Sequence, residues 1–335
     1  YCTNHEGHGP AWGNSLFEDN AEYGFGMARA NMQRRRYVRS LLAAATEDAS
    51  FGLSAETVEL AKKWIEMFDK DENPADLAKQ LTAAIEKEYA AGSAELQAKL
   101  AEIRANLDML VKASFWIIGG DGWAYDIDYG GLDHVVAMGS NVNVIVLDTE
   151  IYSNTGGQRS KSTNLGAIAK FASGGNRKFK KDLGMMFMSY GDIYVASVSI
   201  HANPAQCIMA LKEAESYPGT SVILAYAPCK EHGFPLNKIV EEAHTAVDSG
   251  YWPLYRFDPR KKPCLQIDSK ATTVPLRDFL LRENRYAALL RQNKDLADDL
   301  FAQLADSKVA QMDRLKHMSV ASVEKAAAAL EEKKQ

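Results

Sequence analysis

The sequence predicts an α/β protein: a mostly parallel sheet with helices on both faces, a helical insertion and a helical C-terminal tail. Three observations predict it. Near-continuous apolar runs at 113–118, 142–147, 193–198 and 221–227 read as strands apolar on both faces, as a covered parallel sheet requires. Helical segments around 126–139, 181–190, 204–216 and 237–249 alternate with these runs. The stretches at about 28–110 and beyond 270 have helical periodicity and no strand pattern.

Taken in order, residues 1–27 are glycine-rich, carry Trp12, Phe17, Tyr23 and Phe25, and read as a loop running into a short helix. Ser54 is placed to cap a helix to about Phe68. Asn73-Pro74 reads as an N-cap with proline at the first helical position, opening a helix with Leu77, Leu81 and Ile85 at four-residue spacing. Gly92-Ser93 ends that helix and starts another, with Leu96, Leu100, Ile103 and Leu107 on one face. The segment Trp252–Phe257 reads as an added edge strand, and the tail from 274 as helix that frays in its Ala-, Glu- and Lys-rich end. The division expected is a ligand-binding α/β domain from 1–27 and 111–270, a helical insertion at 28–110 and a helical extension at 271–335.

At 335 residues the chain can bury a sizeable core. Charged residues are 25% and the net charge is −5, so electrostatics give no case for a nucleic-acid partner. Arg34-Arg35-Arg36 reads as a solvated helix face. No run of eighteen apolar residues and no signal peptide occurs, which predicts a cytoplasmic protein without a membrane partner. Cys2, Cys207, Cys229 and Cys264 are widely spread and form no CxxC, so neither a disulfide framework nor a complete metal–cysteine site is read. The chain opens Tyr1-Cys2-Thr3 in glycine-rich sequence, as if cut from something longer.

The chemistry concentrates between Gly119 and Gln158. One apolar run ends in Gly119-Gly120-Asp121-Gly122; a second ends in Asp148-Thr149, with Asn154 close behind. In open α/β sheets ligands lie beyond the carboxyl ends of strands. A carboxylate there suits Mg²⁺, which takes about six oxygens and shares them with phosphate. Glycines let backbone N–H groups approach diphosphate oxygens, and a helix starting near Asp126 could aim its N-terminus at the same anion. Thr149 offers a hydroxyl, Ile151 a carbonyl and Asn154 an amide, and Gly156-Gly157 a tight turn. Gly-Asp-Gly alone would be a turn, and Asp148-Thr149 alone a cap. Jointly, and at this spacing, they read as a site for Mg²⁺ and thiamine diphosphate. The seven histidines show no ligand spacing. Asp126, Asp128 and Asp133 read as helix-start charges, Arg159 and Lys161 as solvated, and Met185, Met186 and Met188 as packing.

With these residues in hand, the chain resembles the C-terminal part of the pyruvate:ferredoxin (flavodoxin) oxidoreductases. The resemblance is carried by GPAWGNSLFEDNAEYGFGM at 9–27, GGDGWAYDIDYGGLDHV at 119–135, DTEIYSNTGGQ at 148–158, LKEAESYPG at 211–219, YAPC at 226–229 and SGYWPLYRFDPR at 249–260. It implies that Asp121, Thr149 and the Ile151 carbonyl bind Mg²⁺. It places Gly120, Gly122 and Trp123 against the cofactor, Asn154 beside thiamine diphosphate and substrate as a catalytic residue, and Phe17 near the thiazolium. It makes Cys229 one ligand of a 4Fe–4S cluster, with the other cysteines upstream. It further implies oxidative decarboxylation of pyruvate with coenzyme A, electron transfer to ferredoxin or flavodoxin, a homodimer, and dependence on the remaining domains of the same enzyme. The rivals are another 2-oxoacid oxidoreductase, a pyruvate:NADP⁺ fusion, and a non-catalytic thiamine diphosphate-binding scaffold.

Overall fold

The computed structural model describes residues 9–14, 18–68, 70 and 75–332, with side chains as far as 319. Phe17, Cys2 and the Asn73-Pro74 helix start lie outside the described residues. The chain divides into two compact units, Gly24–Phe115 and Tyr1–Tyr23 with Trp116–Gln335.

The first of these is helical. Helix α1 (Asn20–Glu47) runs 28 residues, where the sequence suggested a short helix. Gly24 and Gly26 each cost about 1 kcal/mol relative to alanine in a helix interior. Burial of Val38, Leu42 and Ala45 farther along the helix outweighs that cost. Helices α2 (Ala55–Met67), α3 (Ala75–Ala91) and α4 (Ala94–Arg104) close around Trp64, Leu81, Ile85, Leu100 and Ile103. Ser54 and Ser93 cap α2 and α4 as expected, accepting from the N–H of Thr57 and Leu96. The arginine triplet is not a uniform solvated face. Arg35 is buried, donates to the Met109 carbonyl at 2.8 Å and lies over the rings of Trp64 and Phe68.

The other unit is built on a six-stranded sheet in the order β1-β2-β4-β3-β5-β6. Strands β1 (Trp116–Gly120), β2 (Asn143–Asp148), β3 (Tyr194–Val198) and β4 (Ser221–Tyr226) are parallel. Strand β5 (Tyr255–Phe257) joins β3 antiparallel but is not the edge, because β6 (Leu265–Ile267) pairs beyond it. Side-chain alternation sends Tyr194, Ala196, Val198 and Ile223 to one face, against Cys207, Ala210 and Ala214 of α7 (Pro204–Glu215). Leu224 points to the opposite face, towards α6 (Leu183–Met188); there Gly184 packs so tightly that a Cβ would overlap the Tyr255 hydroxyl. Helices α5 (Tyr129–Ala137) and α8 (Ile239–Asp248) complete the alternation, and α9 (Leu276–Arg282), α10 (Asn284–Gln292) and α11 (Lys294–Glu332) form the helical tail.

Candidate functional site

Strands β1 and β2 run side by side with Gly120 opposite Leu147, so Asp121 and the Asp148-Thr149 pair emerge together at the carboxyl end of the sheet. The chain after Asp121 does not start an α-helix near Asp126. It turns at once into a π-helical segment, Gly122–Ile127, a wide turn often found at functional sites. The glycines there have separate reasons. A Cβ on Gly119 would overlap the Trp123 ring, and one on Gly122 the Tyr152 ring. A Cβ on Gly120 would meet nothing within 4 Å, so its backbone faces open space.

Three oxygens meet here. Asp121 Oδ1 lies 2.7 Å from the Thr149 hydroxyl, which is also 2.9 Å from the Ile151 carbonyl. Thr149 has one proton to donate and two acceptors to serve. Ser160 donates to Asp121 Oδ2 at 2.5 Å, and the Ser153 hydroxyl sits 3.1 Å from Thr149 Oγ1 and 3.3 Å from the Ile151 carbonyl. Burial first, then the charge of Asp148, push the Asp121 carboxyl up to about 7, against the opposing pull of Ser160, Thr149 and Lys180. The cluster is rich in oxygen acceptors and short of positive charge, the condition a hard cation relieves. Among the described residues no three His, Cys, Asp or Glu side chains are grouped to hold a metal ion. A cation would therefore rely on one carboxylate, a hydroxyl and a carbonyl here, with its remaining positions open to phosphate or water.

The turn that aims Thr149 and Ile151 has a strained centre. Glu150 has φ +56°, a left-handed conformation that costs a residue with a Cβ about 1–3 kcal/mol. It is held there by a buried network. Its carboxylate accepts from Asn164 at 2.8 Å, Lys180 at 3.0 Å, Tyr251 at 2.6 Å and Arg285 at 2.8 Å. Burial pushes Glu150 up, but the charges of Lys180 and Arg285 reverse this and leave it well below the usual carboxylate range. Asp148, fully buried, accepts from Tyr125 at 2.7 Å, Ser162 at 2.5 Å and Lys180 at 2.8 Å.

The sequence-predicted residues thus fall into groups. Asp121, Thr149 and Ile151 are brought together, with Gly120 and Gly122 beside them. Cys229, three residues beyond the end of β4, joins them through Ser153, whose hydroxyl is 3.2 Å from the sulfur. Asn154 is exposed on the adjoining loop, with no side-chain hydrogen-bond partner among the described residues. Trp123 is buried, and its indole N–H donates to Asp128 at 2.6 Å. Asp128 does stand at the start of α5, but its carboxylate makes no cap hydrogen bond there: it is buried and accepts from Ala21 N–H at 3.0 Å. Asp126 pairs with Lys161. Gly156 and Gly157 both have positive φ, as the tight turn requires. Sequence reasoning missed Ser153, Ser160, Lys180, His232, Tyr251 and Arg285. Only Ser153 and Ser160, close to the glycine turn, carried a local signal.

A mostly parallel sheet with a glycine-lined oxygen cluster at adjoining strand ends defines a class of protein. Residues 90–225 match the family described as thiamine pyrophosphate enzyme, C-terminal TPP binding domain. Three relatives extend the match along the chain. A mitochondrial pyruvate dehydrogenase (NADP⁺) of Euglena gracilis is 50% identical over 340 residues, covering 98% of this chain and 18% of the relative. The pyruvate:ferredoxin oxidoreductase of Moorella thermoacetica is 46% identical over 324 residues, covering 95% and 27%. The pyruvate-flavodoxin oxidoreductase of Klebsiella pneumoniae is 45% identical over 324 residues, covering 94% and 27%. Over nearly its whole length the chain is therefore homologous to part of the pyruvate:ferredoxin and pyruvate-flavodoxin oxidoreductases, and it spans only about a fifth to a quarter of these relatives' length. Among the described residues no helix is long and apolar enough to cross a membrane.

Proposed function

We propose that this chain is the thiamine diphosphate- and Mg²⁺-binding portion of an enzyme of the pyruvate:ferredoxin oxidoreductase type. That enzyme would decarboxylate pyruvate oxidatively with coenzyme A, passing electrons through 4Fe–4S clusters to ferredoxin or flavodoxin. The binding portion corresponds to 1–27 and 111–270, with 28–110 an insertion and 271–335 an extension. The observation that carries the reading is the Asp121–Thr149–Ile151 oxygen group, in which one hydroxyl proton faces two acceptors and no cation makes a direct contact among the described residues, beside the open backbone of Gly120.

Thiamine diphosphate, when bound, supplies the electron sink for loss of CO₂ from a 2-oxoacid. The chain's own residues bind and orient. Asp121, Thr149 and the Ile151 carbonyl would hold the cation, and the Gly120 and Gly122 backbone would approach the diphosphate. Trp123 would back that strand end. Asn154, on an exposed loop beside the cluster, is free to turn towards substrate. Cys229 would give one thiolate of a 4Fe–4S cluster; the other ligands, the groups that activate the cofactor, and Phe17's contact lie outside the described residues or this chain. Homodimerisation, reliance on the remaining domains and a cytoplasmic location complete the proposal. A second reading, a pyruvate:NADP⁺ type enzyme, is favoured by the 50% identity to the Euglena relative.

Calorimetric titration of the 335-residue chain with thiamine diphosphate, with Mg²⁺ and with EDTA, tests the core of this reading. Binding is expected to be weak, because a single domain covers only one face of the cofactor, and to require Mg²⁺. Binding that ignores Mg²⁺, or no binding at all, overturns it.

A further inference from the structure

The Cys229 loop and the Thr149 loop touch in three places. Ser153 meets the cysteine sulfur at 3.2 Å. Gly157, at φ +93°, leaves room for the Glu231 carboxylate, which would lie 2.9 Å from a Cβ there. The third contact is different in kind. His232 closes the short 3₁₀ turn Lys230–His232 that Cys229 caps, and its ring is fully buried. Its Nε2 lies 2.7 Å from the Thr149 carbonyl. A carbonyl only accepts, so the proton is on Nε2. On the other side, Nδ1 lies 3.0 Å from Glu283 Oε1. Arg285 donates to Glu283 at 2.7 Å and to Glu150 at 2.8 Å. Glu150 follows Thr149 in the chain, so the contacts form a closed ring: Thr149 carbonyl, His232, Glu283, Arg285, Glu150, and back through one peptide bond. The loop is pressed onto this ring as well, since a Cβ on Gly233 would come within 2.6 Å of Asn284 Cβ.

We infer that His232 is a positioning residue that registers the cysteine loop against the cation loop, fixing Cys229 Sγ relative to Thr149 and Ile151. The inference deepens the function proposed above and rests on it for its purpose, though not for its geometry. A buried histidine satisfying a stray carbonyl would need no second anchor. This one also faces, 3.0 Å from Nδ1 and without a hydrogen bond, a buried carboxylate whose own arginine partner fixes the strained residue next to that carbonyl. Sites of this kind need their supporting groups locked to within about 0.5 Å, and loss of an outer partner typically costs 10–100-fold in metal affinity.

The test compares His232→Asn with His232→Gln in the whole chain. The glutamine amide can reach the Nε2 position and donate to Thr149; the asparagine amide cannot. The first readout needs no cofactor: the rate at which iodoacetamide alkylates Cys229 at one fixed pH, resolved by peptide mass spectrometry. The Asn variant should react several-fold faster and the Gln variant at about the wild-type rate. The second readout is calorimetric affinity for thiamine diphosphate with Mg²⁺, expected about 10-fold weaker in Asn and largely restored in Gln. A wild-type alkylation rate in Asn, or a Gln variant as fast as Asn, overturns the inference. If Asn does not fold, Gln decides: an alkylation rate equal to wild type supports the positioning role and a faster one overturns it. If wild-type chain shows no Mg²⁺-dependent binding while the alkylation pattern holds, the function proposed above fails and the registration of the two loops stands.

Discussion

Two buried carboxylates, Asp121 and Glu150, sit at neighbouring loops of one sheet edge and have opposite electrostatics. Glu150 belongs to a closed network with four donors, two of them cations, and is held well below the usual carboxylate range. Asp121 has hydroxyl donors only, Thr149 and Ser160, and burial with Asp148 nearby pushes it up to about 7. The difference separates a scaffold from a candidate site. A buried charge with its partners supplied by the chain is structural; one left short of positive charge at a strand end awaits a partner from outside.

The comparison breaks most visibly at the scaffold. Glu150→Ala removes one partner and leaves Lys180 and Arg285 buried without it. Breaking a buried pair in this way costs about 3–5 kcal/mol. Urea unfolding at neutral pH should show a loss of that size; a loss below about 1 kcal/mol would mean that the network is not what holds the left-handed turn.

At the site the sign reverses. Asp121→Asn should weaken Mg²⁺-dependent thiamine diphosphate binding by at least about 100-fold, an estimate at the strong end of outer-partner losses because the carboxylate itself is removed. The same change should stabilise the metal-free chain. A carboxyl raised in the folded state favours folding only while protonated, so its contribution falls as pH rises from the unfolded value, about 4, through about 7. The melting temperature of Asp121→Asn should therefore exceed that of wild type by a margin that grows between pH 4 and pH 7 and then levels off. Glu150 works the other way: its depressed value gives stability above the unfolded value that is lost as pH falls into more acid solution. A margin independent of pH would remove Asp121 from the comparison.

Glycines sharpen it further. Gly122→Ala forces a Cβ into the Tyr152 ring and should cost about 1–3 kcal/mol of stability. Gly120→Ala has open space and should leave the melting temperature near wild type, while weakening thiamine diphosphate binding by about 10-fold, or 1.4 kcal/mol. Equal affinity losses with equal stability losses at the two positions would show that the open space at Gly120 is not where the diphosphate lies.

Much of the candidate site was legible because it is local. Asp121 and Thr149 each follow an apolar run, and a parallel pair of strands must bring the ends of such runs together. The four parallel strands and the helices between them were visible for the same reason, in their periodicity. The scaffold was not. Lys180, Tyr251 and Arg285 reach Glu150 from 30, 101 and 135 residues away, and no spacing rule connects them. Arg35 misled for a related reason: within a basic triplet on a helix, only the fold decides which arginine turns inward to Met109 and Trp64. The π-helical turn at Gly122 was also hidden, since glycine and aromatic residues there satisfy a tertiary fit to Tyr152 and Trp123 rather than a helical propensity.

The smallest effect is expected at Asn154, and it is informative because it should be confined to chemistry. The side chain is exposed, so Asn154→Ala should change stability by no more than about 0.5 kcal/mol. Cofactor affinity should also stay close to wild type, because the oxygens assigned to the cation lie on Asp121, Thr149 and Ile151. In the full-length enzyme, however, loss of the amide should lower kcat for pyruvate turnover with little change in the thiamine diphosphate requirement. If affinity for the cofactor falls instead and kcat holds, Asn154 belongs with the cradle, and the boundary between binding and catalysis must be drawn one residue group farther out.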